Sequence, residues 1–97
     1  MGFIYGVLSE EYERLIEKKQ DYEEKIKQLP KGALVKKQIN GRLYDYLMYR
    51  ADGKVITEYI KKSRFEEVKA QLERRKKMEN SLASIYQDIL LIEKVLK

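Results

Sequence analysis

Apolar residues recur at two different periods along this chain, and the change of period divides it into three segments. Leu8, Tyr12, Leu15, Tyr22, Ile26 and Leu29 follow one another at spacings of four and three, with Lys19 in the one polar slot and Ile16 widening the stripe. That is an a/d heptad seam over three heptads, and it predicts an amphipathic helix over residues 8–29. Ser9 followed by Glu10 and Glu11 reads as its N-cap, with acidic side chains opposing the positive end of the helix dipole. Pro30 and Gly32 end it, because proline lacks the next amide donor and disfavours helical backbone at Leu29.

The middle segment has a period of two. Asn40-Gly41 and Asp52-Gly53 are hairpin dipeptides, since a type I′ turn needs positive φ at both central residues. They separate three predicted strands, Ala33–Ile39, Arg42–Arg50 and Lys54–Ile60, rich in β-branched and aromatic residues and joined as an antiparallel meander over residues 33–60. Ser63-Arg64-Phe65-Glu66 reads as a capping box. Beyond it Val68, Met78, Leu82, Ile85, Ile89, Ile92 and Leu96 lie on a second heptad seam, interrupted by Gln71 and Arg75, and predict a helix over residues 64–97.

A helix of that length, about 50 Å, is not stable alone on so narrow a stripe. The first helix is the simplest partner. The expected fold is α+β: two long antiparallel helices, a coiled-coil hairpin, with a three-stranded antiparallel β-meander inserted at the tip. The last turns are apolar on more than one side (Tyr86, Ile89, Leu90, Leu91, Ile92, Val95, Leu96), more than one facing helix covers. Either the N-terminal segment with Phe3, Ile4, Tyr5 and Val7 wraps them, or two chains pack there as a homodimer.

Composition narrows the chemistry. The 97 residues, 11.6 kDa, set one domain as the expectation, and they include no histidine, no cysteine and no tryptophan. That removes Ser–His–Asp and Cys–His nucleophilic chemistry, histidine acid–base work, Cys/His zinc sites and disulfides, so neither an enzyme nor a cofactor is expected. The run Met1–Leu8 lacks the basic flank of a secretory signal and meets Glu10 and Glu11 almost at once, and no apolar stretch is long enough to span a bilayer. A cytoplasmic protein without a membrane partner is the default expectation. The acidic row Glu10, Glu13, Glu17, Asp21 and Glu24 reads as a solvated helix face with lysines alongside, rather than as a cation site.

The net charge of +5 is unevenly placed. Residues 1–30 carry five basic and seven acidic side chains, residues 31–64 nine and three, and residues 65–97 seven and six. The excess therefore sits on the meander, which is where a polyanion would be drawn. With two-residue turns the cross-strand pairs follow, and one face gathers Leu34, Leu43, Leu47, Tyr49, Ile56 and Ile60. The other gathers Tyr44, Tyr46 and Tyr59 among Lys37, Arg42 and Arg50, with Val35, Ile39, Met48 and Val55. The leucine-rich face is expected against the helices. Aromatic rings interleaved with cations suit nucleic acid, because rings stack on bases and cations neutralise phosphates; the same tyrosines would equally serve as plain filling of a small sheet. A second basic cluster, Arg74-Arg75-Lys76-Lys77, spreads around the helix and reads either as a solvated face or as a further phosphate contact.

Leu29-Pro30-Lys31-Gly32, the run Asn40-Gly41-Arg42-Leu43-Tyr44-Asp45-Tyr46-Leu47-Met48-Tyr49-Arg50, then Gly53-Lys54-Val55 and Tyr59-Ile60 together resemble a family of small uncharacterised bacterial and archaeal proteins built as helix, LPxG, β-meander and helix. Members of that family often carry a third aromatic where this chain has Asp45, which interrupts an aromatic ladder here. The resemblance implies no activity. The meander-plus-helix core is also similar, at the level of fold alone, to the arm-type DNA-binding domains at the front of tyrosine integrases.

Two functions are therefore expected as alternatives. One is a non-enzymatic nucleic-acid-binding module, of a mobile-element or regulatory kind, using Lys37, Arg42, Arg50 and Lys54 on phosphates and Tyr44, Tyr46 and Tyr59 on bases, with Arg74 and Arg75 as further contacts. The other is a coiled-coil protein-interaction module, an adaptor or inhibitor docking a protein partner through the hairpin tip.

Overall fold

The computed structural model describes residues 2–97, so Met1, part of the N-terminal apolar run, lies outside the described residues. The order of elements is α1 (Gly2–Lys27), β1 (Ala33–Ile39), β2 (Arg42–Ala51), β3 (Lys54–Ile60) and α2 (Lys62–Leu96). This is an α+β chain: a three-stranded antiparallel sheet of order β1-β2-β3 stands between two helices in sequence.

The turns behave as their residues dictate. Asn40 and Asp52 both sit at φ 51°, followed by Gly41 at 83° and Gly53 at 74°, the left-handed pairs that a type I′ hairpin needs. Two-residue turns leave no slack, so Ile39 faces Arg42, Val35 faces Tyr46 and Leu34 faces Leu47 across the first hairpin. Arg50 faces Val55, Tyr49 faces Ile56 and Tyr46 faces Tyr59 across the second. Every pairing expected from the sequence is present.

The chain packs as two units, and the sheet belongs to the one formed by Leu29–Arg75. Its core is Leu47 and Ile60 from the strands against Val68 of α2, with Leu34, Tyr49 and Leu72 packed around them. The leucine-rich face is thus the covered one, each buried aliphatic contributing about 1.5–3 kcal/mol. Leu43 departs from that expectation: it lies at the start of β2, beyond the last β3 partner, and is 63% exposed. Gly32 closes the unit from the side. Its φ of 115° is outside the range of L-residues, and a Cβ there would overlap the Met48 carbonyl oxygen and approach Tyr49 Cβ within 2.9 Å. Backbone therefore lies directly on backbone where the chain enters β1.

The other unit combines the chain up to Gln28 with Lys76–Lys97. Leu15, Ile85 and Ile89 are its core, and Tyr12, Ile16, Tyr22 and Ile92 pack against them, so both expected seams are the buried stripes. Tyr12 donates its hydroxyl to Glu93 Oε2 at 2.9 Å, and Tyr86 donates to Glu23 Oε2 at 2.8 Å. Those two cross-links run in opposite senses along the helices, which fixes α1 and this part of α2 as antiparallel.

Helix boundaries differ from expectation at both helices. α1 begins at Gly2 rather than residue 8, so Ser9 is an interior residue; the preceding apolar run contains no proline and simply continues the helix. It stops at Lys27 instead of residue 29, because Pro30 keeps Leu29 out of helical backbone, and Gln28 N–H closes on the Lys25 carbonyl at 3.2 Å. α2 begins at Lys62, where Arg64 N–H donates to the Lys61 carbonyl at 2.9 Å, placing Ser63 inside the first turn rather than at its cap, and it ends at Leu96. Among the described residues no helix is long and apolar enough to cross a membrane.

Two expectations follow. Gly32→Ala lowers stability by about 3 kcal/mol in urea unfolding, whereas Gly53→Ala, equally left-handed but in open space, costs about 1 kcal/mol. Hydrogen bonding to a carboxylate, then burial and the carboxylate's charge, holds the Tyr12 and Tyr86 phenols above their ordinary value of 10.0. Because the folded value exceeds the unfolded one, this contribution is complete below about pH 10 and is lost as pH climbs through the raised value. Urea midpoints followed by circular dichroism should fall above pH 10, and the Tyr12→Phe/Tyr86→Phe variant should show a smaller alkaline drop.

Candidate nucleic-acid interface

Alternation along the strands sorts the charges of the sheet. Asp45 and Glu58, the two acidic residues within the strands, both fall on the face that packs on α2. There Asp45 pairs with Lys36 at 3.7 Å, and Glu58 accepts the Tyr49 hydroxyl, which raises the Tyr49 phenol above its usual range. The open face is left with Lys37, Arg42 and Arg50 and no carboxylate of its own strands.

At the centre of that open face the three tyrosines touch. Tyr59 meets Tyr46 at 5.8 Å between ring centroids and Tyr44 at 6.1 Å, both edge-to-face, with interplanar angles of 66° and 67°. Lys37 Nζ stands 5.2 Å from the centre of the Tyr46 ring, a cation–π distance. Tyr44 and Tyr46 are half-buried, whereas Tyr59 is 54% exposed and offers the most accessible ring. Arg42 and Arg50 lie eight residues apart on β2, which at strand rise separates them by about 27 Å along the face. The cations therefore border an aromatic centre instead of forming one cluster.

A groove of about 560 Å³ opens at the edge of β2 beyond the end of β3, lined from the open face by Arg42, Tyr44 and Tyr59, from the covered face by Leu43, Asp45 and Ile60, and by Lys62. Its cause is the stagger of the strands. Ile60 pairs with Asp45, so Arg42, Leu43 and Tyr44 have no β3 partner in the ladder, and the chain turns into α2 beside them. Lys62 joins Arg42 at this groove. Sequence reasoning missed it, although the cross-strand pairs, written out to the last residue, leave that gap in β3.

The other expected contacts are placed elsewhere. Lys54 pairs with Ala51 and alternates onto the covered face with Ile56, Glu58 and Ile60, away from the tyrosines. Arg74 is exposed on α2. Arg75 is half-buried, and its Nη1 donates to the Leu29 carbonyl at 2.8 Å, so the polar interruption of the α2 seam satisfies a carbonyl of the chain leaving α1. Its place on the seam was the available signal. Position 45 likewise faces away from the tyrosines, so Asp45 does not interrupt their row. On α1 the acidic row is partly paired, Asp21 with Lys25 at 2.9 Å and Glu24 with Lys27 at 3.7 Å. The Asp21 hydrogen bond raises the Lys25 ammonium above its usual range. Among the described residues no group of three or more acidic side chains is placed to hold a metal ion.

Residues 9–70 match the family described as a domain of unknown function, DUF6788. No curated protein matches the chain, and no solved structure does.

The two neighbouring arginines should separate cleanly. Arg75→Ala is expected to lower stability by about 1.5–3 kcal/mol in urea unfolding, the scale of a hydrogen bond from a charged donor, while Arg74→Ala changes it by less than about 0.5 kcal/mol.

Proposed function

We propose that this chain, which belongs to the DUF6788 family, is a non-enzymatic nucleic-acid-binding module that works through the open face of its β-meander. The observation that carries the reading is the sorting of charge: both strand carboxylates are on the covered face, and three cations surround three tyrosines on the open one. In this reading Tyr59 offers a base its exposed ring, Tyr44 and Tyr46 support that ring edge-on, and Lys37, Arg42 and Arg50 neutralise phosphates along the strip. Lys62 and Arg42 would hold a phosphate beside the groove bordered by Tyr44 and Tyr59. A strip of about 27 Å accommodates several nucleotides of an extended single strand, within the range of about 4–16 that small stacking platforms cover.

A specific observation favours a second reading. Ile39, Met48 and Val55 are exposed on the same face, and they suit a protein partner docking there. A pull-down with and without nuclease distinguishes the two, since a nucleic-acid-mediated capture disappears on digestion.

The direct test is fluorescence anisotropy with labelled single-stranded DNA and RNA at about 50–200 mM salt. Three phosphate contacts predict a log–log salt slope of about −2, at roughly 0.7 per contact for single strands. Lys37→Ala, Arg42→Ala and Arg50→Ala should each flatten that slope by somewhat less than about one, with Lys54→Ala leaving it unchanged. Tyr59→Ala should weaken binding by about 1–3 kcal/mol at every salt concentration. Absence of binding at the lowest salt, or binding that ignores salt, would overturn the reading.

A further inference from the structure

The paired helices of the first unit do not end together. Tyr12 is level with Glu93 through their hydrogen bond, and only Lys94–Leu96 of α2 follow. Antiparallel, Leu96 comes level with about Ser9, whereas α1 starts at Gly2. Gly2–Leu8 therefore overhangs α2 by roughly 10 Å, about two turns. Tyr5 and Leu8 stand one heptad ahead of Tyr12 and Leu15, so the apolar seam of α1 continues past the end of α2. The wrapping of α2 by the N-terminal segment, expected as one alternative, does not occur: exposure runs from 38% at Tyr5 to 84% at Phe3.

α2 is uncovered at the same end. Leu91 and Val95 belong with Ser84 and Asp88 to a row at spacings of four, three and four, on the flank next to the buried Ile85 and Ile89, where Ser84 and Asp88 border the groove beside α1. Both apolar members of that row are exposed, as is Leu90 on the opposite flank. With side-chain areas of about 150–200 Å², Phe3, Ile4, Val7, Leu91 and Val95 expose on the order of 500 Å² together. That lies in the upper part of the range for the largest patch on a monomer, about 300–600 Å², and supplies more than half of the roughly 800 Å² that each partner contributes to a standard interface.

We propose that a second copy of this chain covers this end, the overhanging turns of each α1 lying on the Leu91–Val95 row of its partner's α2 about a two-fold axis. One surface supplies both halves of such a contact, a projecting pair of turns and an uncovered row, which is what an isologous interface demands. The charges agree with it. Exposed Glu10 and Glu13 flank the overhang on α1, while exposed Lys94 and Lys97 end α2, so placing each α1 on the other copy's α2 brings opposite signs together. The proposal is independent of the nucleic-acid reading, since none of these residues belongs to the sheet.

Light scattering and sedimentation equilibrium on the purified chain test it. The expected species has twice the 11.6 kDa chain mass at micromolar concentration, and Leu91→Glu and Val95→Glu each weaken association at least about 100-fold with helical circular dichroism retained. Because the chain has no cysteine of its own, chains carrying Phe3→Cys and chains carrying Leu91→Cys can be mixed under mild oxidation, and a disulfide between unlike chains is expected. That second measurement decides the matter should a glutamate variant fail to fold. A wild-type chain that stays monomeric at hundreds of micromolar, or that is monomeric and instead binds neutral lipid vesicles, overturns the proposal. So do glutamate variants that remain dimeric and a mixture that gives no cross-link.

Discussion

Four residues with positive φ hold this structure in register. Asn40-Gly41 and Asp52-Gly53 each reverse the chain in two residues, and a two-residue reversal permits a single alignment of its strands. A slip of one residue would carry Asp45 and Glu58 to the open face and Tyr46 onto Val68. The covered core, the open aromatic centre and the segregation of charge between the two faces are thus consequences of one constraint on backbone torsion. The interactions that follow are individually small. Among the described residues six of the seven buried side chains form two clusters of three, with Ile26 the seventh, so specificity of arrangement rests on turn geometry at least as much as on burial.

What could be read in the sequence tracks how local its cause is. The strand pairings were legible to the residue, because a hairpin dipeptide and a period of two both act within a few positions. The seams of both helices were legible for the same reason. Helix beginnings were not: Ser9-Glu10-Glu11 has the chemistry of a cap, yet nothing in the preceding apolar run stops a helix, and α1 passes through it. The positions of Lys54 and Asp45 were within reach of simple alternation, but adjacency in sequence to the tyrosines obscured that they face the other way. Arg75 needed tertiary knowledge, since its partner is a carbonyl 46 residues earlier. Gly32 needed it too, for the close approach of Met48 cannot be seen before the strands are placed.

The charged and aromatic residues divide their labour by setting. Tyr12, Tyr49 and Tyr86 spend their hydroxyls on carboxylates and serve as cross-links within each unit. Tyr44, Tyr46 and Tyr59 hold one another by ring edges instead. Eight tyrosines in 97 residues are therefore not one signal. The hydrogen-bonding partner, not the residue type, tells these two groups of three apart, and the proposed binding face draws on the second group alone.

A sheet of only three strands also has two unpaired margins. β1 and β3 each bond to β2 on one side alone, and the amides and carbonyls of the other side are a template on which a foreign strand could grow. Lys36 and Lys37 lie side by side on β1, and Lys54 opens β3. A fourth strand would have to desolvate those ammonium groups before gaining a ladder, which keeps the sheet from propagating into aggregates. Exchange of these lysines for neutral residues would thus be penalised through solubility before any ligand was involved.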